Sequence, residues 1–403
     1  MLQERLLKQV ERRFERLRLP LKVTLWNGQT LEPGVPAQIA LRVRTPMALA
    51  ALANPTMGSL ARCYVEEELD LEGGVRDAVQ VAEALSGGAD IAAPANGGRI
   101  RNWMRHSRLF DRKAIRRHYD INDDFFSLWL DRDRVYSCAY FRHADDTLDL
   151  AQQQKLDHIC RKLALRPGER FLDIGCGWGA LVLWAAQHYR VRATGITLSD
   201  NQHAYVQRKI RERGLGELCN VLLVDYRDVP EDEPFDKIAS VGMFEHVGRK
   251  NLPGYFAKMF RLLRRGGLAM NHGITLNAVG QEELGSDIGR FIDDYVFPGG
   301  ELCHIFDVVA DMSAQGLECR DVESLRPHYA KTLWQWVDRL EANREAAIAL
   351  VGEKAYRIWR IYMAGSAHAF TRGWMSIYQV LAGKAAPDGS LELPLTRDHM
   401  YEN

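Results

Sequence analysis

Between residues 170 and 274 the chain alternates short apolar runs with longer amphipathic ones, and this alternation restricts the fold more than any other feature. Residues 170–174, 191–197, 220–224, 235–241 and 268–274 read as strands. Residues 180–189, 200–213 and 252–263 read as helices, the last closed by Arg264-Arg265-Gly266-Gly267. Successive βα units predict an α/β, doubly wound, mostly parallel sheet. Ligands in such sheets bind beyond the carboxyl ends of the strands.

The first of these turns is Asp173-Ile174-Gly175-Cys176-Gly177-Trp178-Gly179. Its glycines fall at i, i+2 and i+4. The dinucleotide fingerprint needs its last glycine one residue later, so a pyrophosphate is not the expected ligand. Asp173, just before the loop, suits a cationic ligand. The second strand ends at Thr197, with Gln202 opening the next helix, and both side chains can hydrogen-bond ribose hydroxyls. The third is followed by Asp225-Tyr226, placed for an adenine, with Asp225 accepting from its amino group and Tyr226 flanking the ring. A nucleoside joined to a cationic methionine, S-adenosylmethionine, fits all three.

The N-terminal part reads as a separate α+β domain over residues 1–98. Leu6, Leu7, Val10, Phe14 and Leu17 recur at helical spacing. Strand-like runs at 21–25 and 39–43 flank Trp26-Asn27-Gly28, a hairpin signal, and helical patterns follow at 49–57 and 75–85. Residues 86–98, with Gly87-Gly88, Pro94 and Gly97-Gly98, read as a linker. Residues 99–117 hold eight Lys/Arg and one Asp. They fit either a solvated helix or a basic amphipathic segment lying on anionic headgroups. Residues 118–403 form the catalytic domain, and 333–381 read as helical and rich in aromatics.

The net charge of zero names no partner, but residues 1–117 carry 19 Lys+Arg against 13 Asp+Glu. This basic excess suits a polyanionic surface. Nucleic acid is not an expected partner. Seven cysteines without a C-x-x-C pair support neither a zinc site nor a disulfide framework, so no metal is expected and a reducing, cytoplasmic compartment fits. The charged N-terminus has no signal-peptide pattern, and no apolar run is long enough to span a membrane.

Further strings carry a resemblance. They are Arg117-His118-Tyr119-Asp120, Asp123-Asp124-Phe125-Phe126, Val135-Tyr136-Ser137-Cys138-Ala139-Tyr140-Phe141, Phe244-Glu245-His246-Val247-Gly248, Asn271-His272-Gly273-Ile274 and Pro327-His328-Tyr329-Ala330-Lys331-Thr332-Leu333. Over residues 115–380 the chain resembles the cyclopropane fatty acid synthase family, which includes the mycolic acid cyclopropane synthases. Its extra N-terminal domain looks like that of the phospholipid-acting members.

The resemblance implies a Rossmann-like, seven-stranded methyltransferase sheet with helical lid insertions. It also implies methyl transfer from S-adenosylmethionine to the double bond of an unsaturated acyl chain in a membrane phospholipid. Tyr136, Ser137, Gly175, Thr197, Gln202 and Tyr226 match cofactor-binding positions, beside Asp173, Gly177 and Asp225. Cys138, Glu245, His272, Ile274 and Tyr329 match a site holding a bicarbonate ion, with Cys138 and Ile274 acting largely through their backbones. Such a protein would work peripherally on the inner face of the membrane; a homodimer is compatible with the sequence.

Without the resemblance, Cys138 fits a small buried residue, Glu245-His246 a surface pair, and His272 and Tyr329 core residues. One departure is visible. Gly273 stands where many family members have a hydroxyl-bearing residue, which bears on the product. Alternatives are a methylene- or methyl-branched chain, amine methylation, or ligand binding without catalysis; amine methylation needs no bicarbonate site.

Overall fold

The computed structural model describes residues 2–32, 34–87, 123–279, 284–285, 287–298 and 300–401. The basic segment 99–117 and Arg117-His118-Tyr119-Asp120 lie outside the described residues. The chain divides into two compact units. One comprises residues 1–97, 281–298 and 333–374. The other comprises 98–280, 299–332 and 375–403.

In the first unit the amphipathic helix α1 (Leu2–Leu17) precedes β1 (Leu21–Thr24), β2 (Thr30–Leu31) and β3 (Ile39–Val43). Asn27-Gly28 does close a hairpin, but onto the two-residue β2; β3 pairs with β1 in parallel. The expected helix at 49–57 is two helices, α2 (Pro46–Ala53) and α3 (Met57–Val65). Pro55 cannot continue α2, and Thr56 caps α3, its hydroxyl accepting from Ser59 N–H at 3.0 Å. β4 (Leu69–Glu72) completes a sheet in the order β2-β1-β3-β4, and α4 (Val75–Ser86) follows. Val10, Phe14, Leu21, Val23, Leu41, Val43, Leu49 and Leu52 form its core.

The second unit carries the expected seven-stranded sheet. Short α5 (Asp123–Ser127) and α6 (Leu148–Lys162) lead into β5 (Arg170–Ile174), α7 (Ala180–Tyr189), β6 (Arg192–Thr197), α8 (Asp200–Glu212), β7 (Cys219–Leu223), β8 (Phe235–Val241), α9 (Leu252–Leu262) and β9 (Leu263–Leu276). These five strands are parallel, in the order β9-β8-β5-β6-β7. β5 is buried from Phe171 to Ile174 because helices cover both faces of such a sheet.

Two further expectations are corrected by this unit. Arg264-Arg265-Gly266-Gly267 does not close α9 as a loop; it lies within β9. Residues 375–381 are strand: after α10 (Ile288–Tyr295), α11 (Ile305–Ala314), β10 (Glu318–Ser324), α12 (Arg326–Ala342) and α13 (Arg344–Arg372), the chain enters β11 (Met375–Gly383). Gly373 ends α13 in the left-handed region, and β11 is buried on both faces, so it lacks the alternation that marks a strand. β10, mostly exposed and charged, was not expected at all. β11 pairs antiparallel with β9, and β10 antiparallel with β11. The chain ends in the short helix α14 (Asp398–Tyr401).

Reversing direction matters for the site. The start of β11 and the end of β10 meet the carboxyl ends of the five parallel strands, so residues near 325 and 375–379 reach the same rim as the βα turns.

Candidate active site

The glycine turn sits at the carboxyl end of β5, its amides at Gly175 and Cys176 donating to Ile196 O at 3.1 and 2.9 Å. Gly179 caps α7 with φ +82°, and an added Cβ there would press on Val206 at 2.7 Å. Gly177 differs: its φ is +52°, and an added Cβ would meet nothing within 4 Å. The turn is therefore packed at its end and open in its middle, where a ligand can approach bare backbone. Asp173 is buried beside it, with Oδ1 lacking a hydrogen-bond partner. Burial pushes its carboxyl up to about 7, opposed by the Lys155 cation.

The segment 131–141 is held by buried polar groups. Asp131 accepts from Val135 N–H at 2.8 Å and Asp133 N–H at 3.0 Å. From α6, Lys155 Nζ donates to Ser137 Oγ at 2.9 Å and Gln152 Nε2 to Ser137 O at 2.9 Å. Ala139 N–H donates to Thr332 Oγ1 and Phe141 N–H to His328 Nδ1. Tyr140 stacks between His158 and His328, centroids 4.3 and 4.9 Å away. Tyr136 packs on Phe126 and Trp129, and Phe126 on Trp178 of the glycine turn. Sequence reasoning missed Asp131, Gln152 and Lys155. The one signal is that α6 buries Gln152, Lys155, His158 and Lys162 together, which an ordinary amphipathic helix does not do.

At the end of β6, Thr197 Oγ1 donates to Gln202 Oε1 at 2.8 Å and accepts from Ser199 N–H at 3.2 Å. The two expected ribose ligands are thus adjacent and mutually oriented. Beyond β7, the Asp225 carboxylate accepts from Arg227 Nε at 2.8 Å and from its backbone N–H at 2.9 Å. Asp225 therefore braces its own turn, while Tyr226 packs edge-on to Tyr255.

The five remaining candidates converge on the rim formed by β9, β11 and the end of β10. Glu245 is buried, and its Oε1 accepts from Ile274 N–H at 2.7 Å while Oε2 has no partner. Burial pushes its carboxyl up to about 7 against that hydrogen bond. The Ile274 N–H is thus taken up by Glu245. His272 lies two residues earlier on β9; its Nδ1 faces Gln379 Nε2 at 3.4 Å and its Nε2 has no partner. Burial, then the charges of Lys155 and Lys162, hold the ring neutral. Buried Leu325 links the others: its N–H donates to Ile377 O, opposite Ile274 in register. Its carbonyl accepts from Tyr329 N–H at 3.0 Å and lies 3.8 Å from Cys138 Sγ. Cys138 is fully buried, and burial pushes its thiol far above the usual range.

All seven cysteines are free. Among the described residues no cluster of His, Cys, Asp and Glu is arranged to hold a metal, and no helix is long and apolar enough to cross a membrane.

The family model for mycolic acid cyclopropane synthetase matches residues 106–380. A probable fatty acid methyltransferase of Pseudomonas putida is 45% identical over 98% of this chain and all of its own length. The solved cyclopropane synthase MmaA2 from Mycobacterium tuberculosis is 37% identical with a TM-score of 0.64, covering 67% of this chain and 98% of its own. The mycolic acid cyclopropane synthase CmaA1, solved with SAH and CTAB, is 38% identical with a TM-score of 0.63, covering 67% of this chain and 97% of its own. The fatty acid methyltransferase therefore spans the N-terminal part as well, whereas the two solved synthases match about two thirds of the chain.

Proposed function

Because the chain belongs to the mycolic acid cyclopropane synthetase family of S-adenosylmethionine-dependent methyltransferases, we propose that it alkylates the double bond of an unsaturated fatty acyl chain in a membrane phospholipid and closes a cyclopropane ring there. One observation carries this reading: Glu245 Oε2, on the turn after β8, and His272 Nε2, on the neighbouring strand β9, are both buried without a protein partner.

The residues fit both small molecules. Asp173 Oδ1 suits the positive methionine end of the cofactor, and bare Gly177 gives it room. A neutral imidazole whose Nδ1 faces an amide N–H donor carries its proton on Nε2. That N–H donates to an anion, and the Glu245 carboxylate accepts from an anion's own hydroxyl, so bicarbonate is the matching ion. When bound, the cofactor supplies an electrophilic methyl group and bicarbonate a base.

The protein does the rest. Alkylating an alkene leaves a carbocation on the acyl chain, which any nucleophile would trap. Cys138 is kept as a thiol by burial, so it presents no thiolate. The aromatic group of Phe126, Trp129, Tyr136 and Trp178 excludes water, and aromatic faces stabilise cations. Glu245 and His272 orient the proton acceptor, and Tyr329, held at the start of α12 by its N–H to Leu325 O, would add a hydroxyl donor. The acyl chain is reached from the membrane surface, with Arg101, Arg105 and Arg108 in the basic segment docking on anionic headgroups at about 1 kcal/mol each.

The test is incubation of the purified protein and S-adenosylmethionine with anionic vesicles of monounsaturated phospholipid, followed by mass spectrometry of the released acyl chains. The expected product gains one CH2 and has no double bond in an unbranched skeleton, with conversion falling as salt is raised. A retained double bond in the product would identify methylene or methyl branching instead, and unmodified chains would remove the lipid reading.

A further inference from the structure

Two buried side chains of α6, Gln152 and Lys155, both end on Ser137. Gln152 Nε2 donates to Ser137 O at 2.9 Å and, at 3.4 Å, to Val135 O. Lys155 Nζ donates to Ser137 Oγ at 2.9 Å. Both groups facing the Gln152 amide are carbonyls, so its NH2 must be turned toward the segment. One helix thus holds both the carbonyl and the hydroxyl of Ser137.

The next residue is left open. Cys138 is fully buried, yet among the described residues its N–H has no hydrogen-bond acceptor. The three amides that follow are all taken: Ala139 N–H by Thr332, Tyr140 N–H by Ala151 O and Phe141 N–H by His328. Buried backbone N–H groups are almost always paired, so an open one is a donor kept for a bound group. A trans peptide is planar, and its C=O and N–H point in opposite directions. With the Ser137 carbonyl drawn onto Gln152, the Cys138 N–H is aimed away from α6. Cys138 and His272 share Lys155 and Glu323 as charged neighbours. The open donor therefore lies in the same neighbourhood as the unpartnered imidazole nitrogen.

We propose that Gln152 and Lys155 are positioning residues: by holding the carbonyl and hydroxyl of Ser137 they fix the 137–138 peptide, and with it the direction in which the Cys138 N–H is offered to the bound anion. The inference rests on the anion site proposed above. It adds that α6 acts on that site through a neighbour's backbone.

The test reads the amide itself. In full-length protein labelled with [15N]cysteine, the seven cysteines give one amide signal each, and Cys138→Ala identifies the Cys138 signal by its loss. Titrating the wild type with bicarbonate should shift that signal. In Gln152→Leu the same shift should need about tenfold more bicarbonate, the weakening expected when one hydrogen bond to an anion is misaligned. Lys155→Met should act in the same direction with a smaller factor. In the vesicle assay, run in buffer depleted of carbon dioxide, the half-activating bicarbonate concentration should rise by matching factors, with kcat recovered at saturating bicarbonate.

A Cys138 signal that responds to bicarbonate equally in the wild type and both variants would overturn the positioning role. Equality in one variant alone would strike that residue from the pair. If Gln152→Leu does not fold, Lys155→Met decides, since it exchanges the buried cation for an uncharged chain of similar length. A wild-type Cys138 signal that bicarbonate leaves unmoved removes the premise, and the inference with it, whatever the variants do.

Discussion

Two buried polar regions of this protein are built on opposite rules. In the first unit, Arg357 donates to Tyr64 O at 3.0 Å, Asp70 Oδ1 at 2.8 Å and Glu353 Oε1 at 2.8 Å. Arg360 donates to the Tyr64 hydroxyl at 2.9 Å, Gly73 O at 3.0 Å and Glu341 Oε1 at 2.7 Å. Each guanidinium is met by carboxylate or carbonyl on several sides, and the network ties β4 and α3 to α13. At the sheet rim of the second unit, Asp173 Oδ1, Glu245 Oε2 and His272 Nε2 are just as buried and have no protein partner. A buried polar atom left unmatched costs about 1–3 kcal/mol, more if charged. The first region uses its polar groups to stabilise the fold. The second gives up stability and gains groups that can bind.

The comparison predicts that the two regions fail differently when altered, and the largest effect belongs to the rim. Glu245→Gln should reduce turnover about 10²–10⁴-fold. The amide still accepts from Ile274 N–H but no longer presents a carboxylate, so cofactor affinity should hold. Thermal stability above pH 7 should hold or rise, since an unpaired buried charge is removed. A loss of melting temperature that tracks the loss of turnover would place Glu245 with the structural groups.

The next effect is in the helical network. Arg357→Met removes the cation that Tyr64 O, Asp70 and Glu353 share, while Asp70 keeps its ion pair with Arg44. Losing hydrogen bonds to a charged group in this way costs about 1.5–3 kcal/mol. Denaturant unfolding should show that loss, with kcat per folded molecule unchanged. A stable variant would mean that the network contributes little, and the contrast between the regions would then rest on the rim alone.

The two regions also differed in how much of them could be read from sequence. The βα alternation and the spacing of Asp173, Gly175, Gly177 and Gly179 are local signals, set by the strand-turn-helix unit itself, so the parallel sheet and the glycine turn at the end of β5 were legible. Glu245, His272 and Tyr329 are each ordinary in isolation; only the resemblance drew them together, because they follow or lie on three different strands, β8, β9 and β10, and β10 joins the sheet only through β11. That strand was itself misread as helix, since burial on both faces erased its alternation. The Arg357 and Arg360 network was invisible, because its partners lie nearly 300 residues apart in sequence. Nothing local marks Asp70 as the partner of an arginine on α13. Gly273 stands out in the sequence as a departure, but the Phe244 ring lying where its Cβ would stand is visible only in three dimensions.

The smallest predicted effect is a pH dependence of opposite sign in the two regions. Asp70 is held below its ordinary value because hydrogen bonds from Arg357 and Arg44 overcome the opposing effect of burial. Its stabilisation is present above the unfolded carboxyl value and is lost as the pH falls through the lower, folded one. Asp173 moves the other way, to about 7, because burial outweighs the Lys155 charge. Its folded form therefore holds a proton that the unfolded chain has already released between about pH 4 and 7, so ionising it costs stability as the pH rises through 7. A cation bound beside Asp173 selects the ionised carboxyl. Below pH 7 the proton must leave before the ligand can enter, and affinity should fall about tenfold for each further pH unit. Calorimetric titration with S-adenosylmethionine at pH 8 and pH 6 should show about a tenfold weaker Kd at the lower pH. The observed heat should also vary with the buffer's ionisation enthalpy, reporting proton release. Asp173→Asn should bind more weakly at pH 8 and lose this dependence. An affinity that is the same at both pH values in the wild type would show that Asp173 is satisfied within the protein, and would move it from the binding region to the structural one.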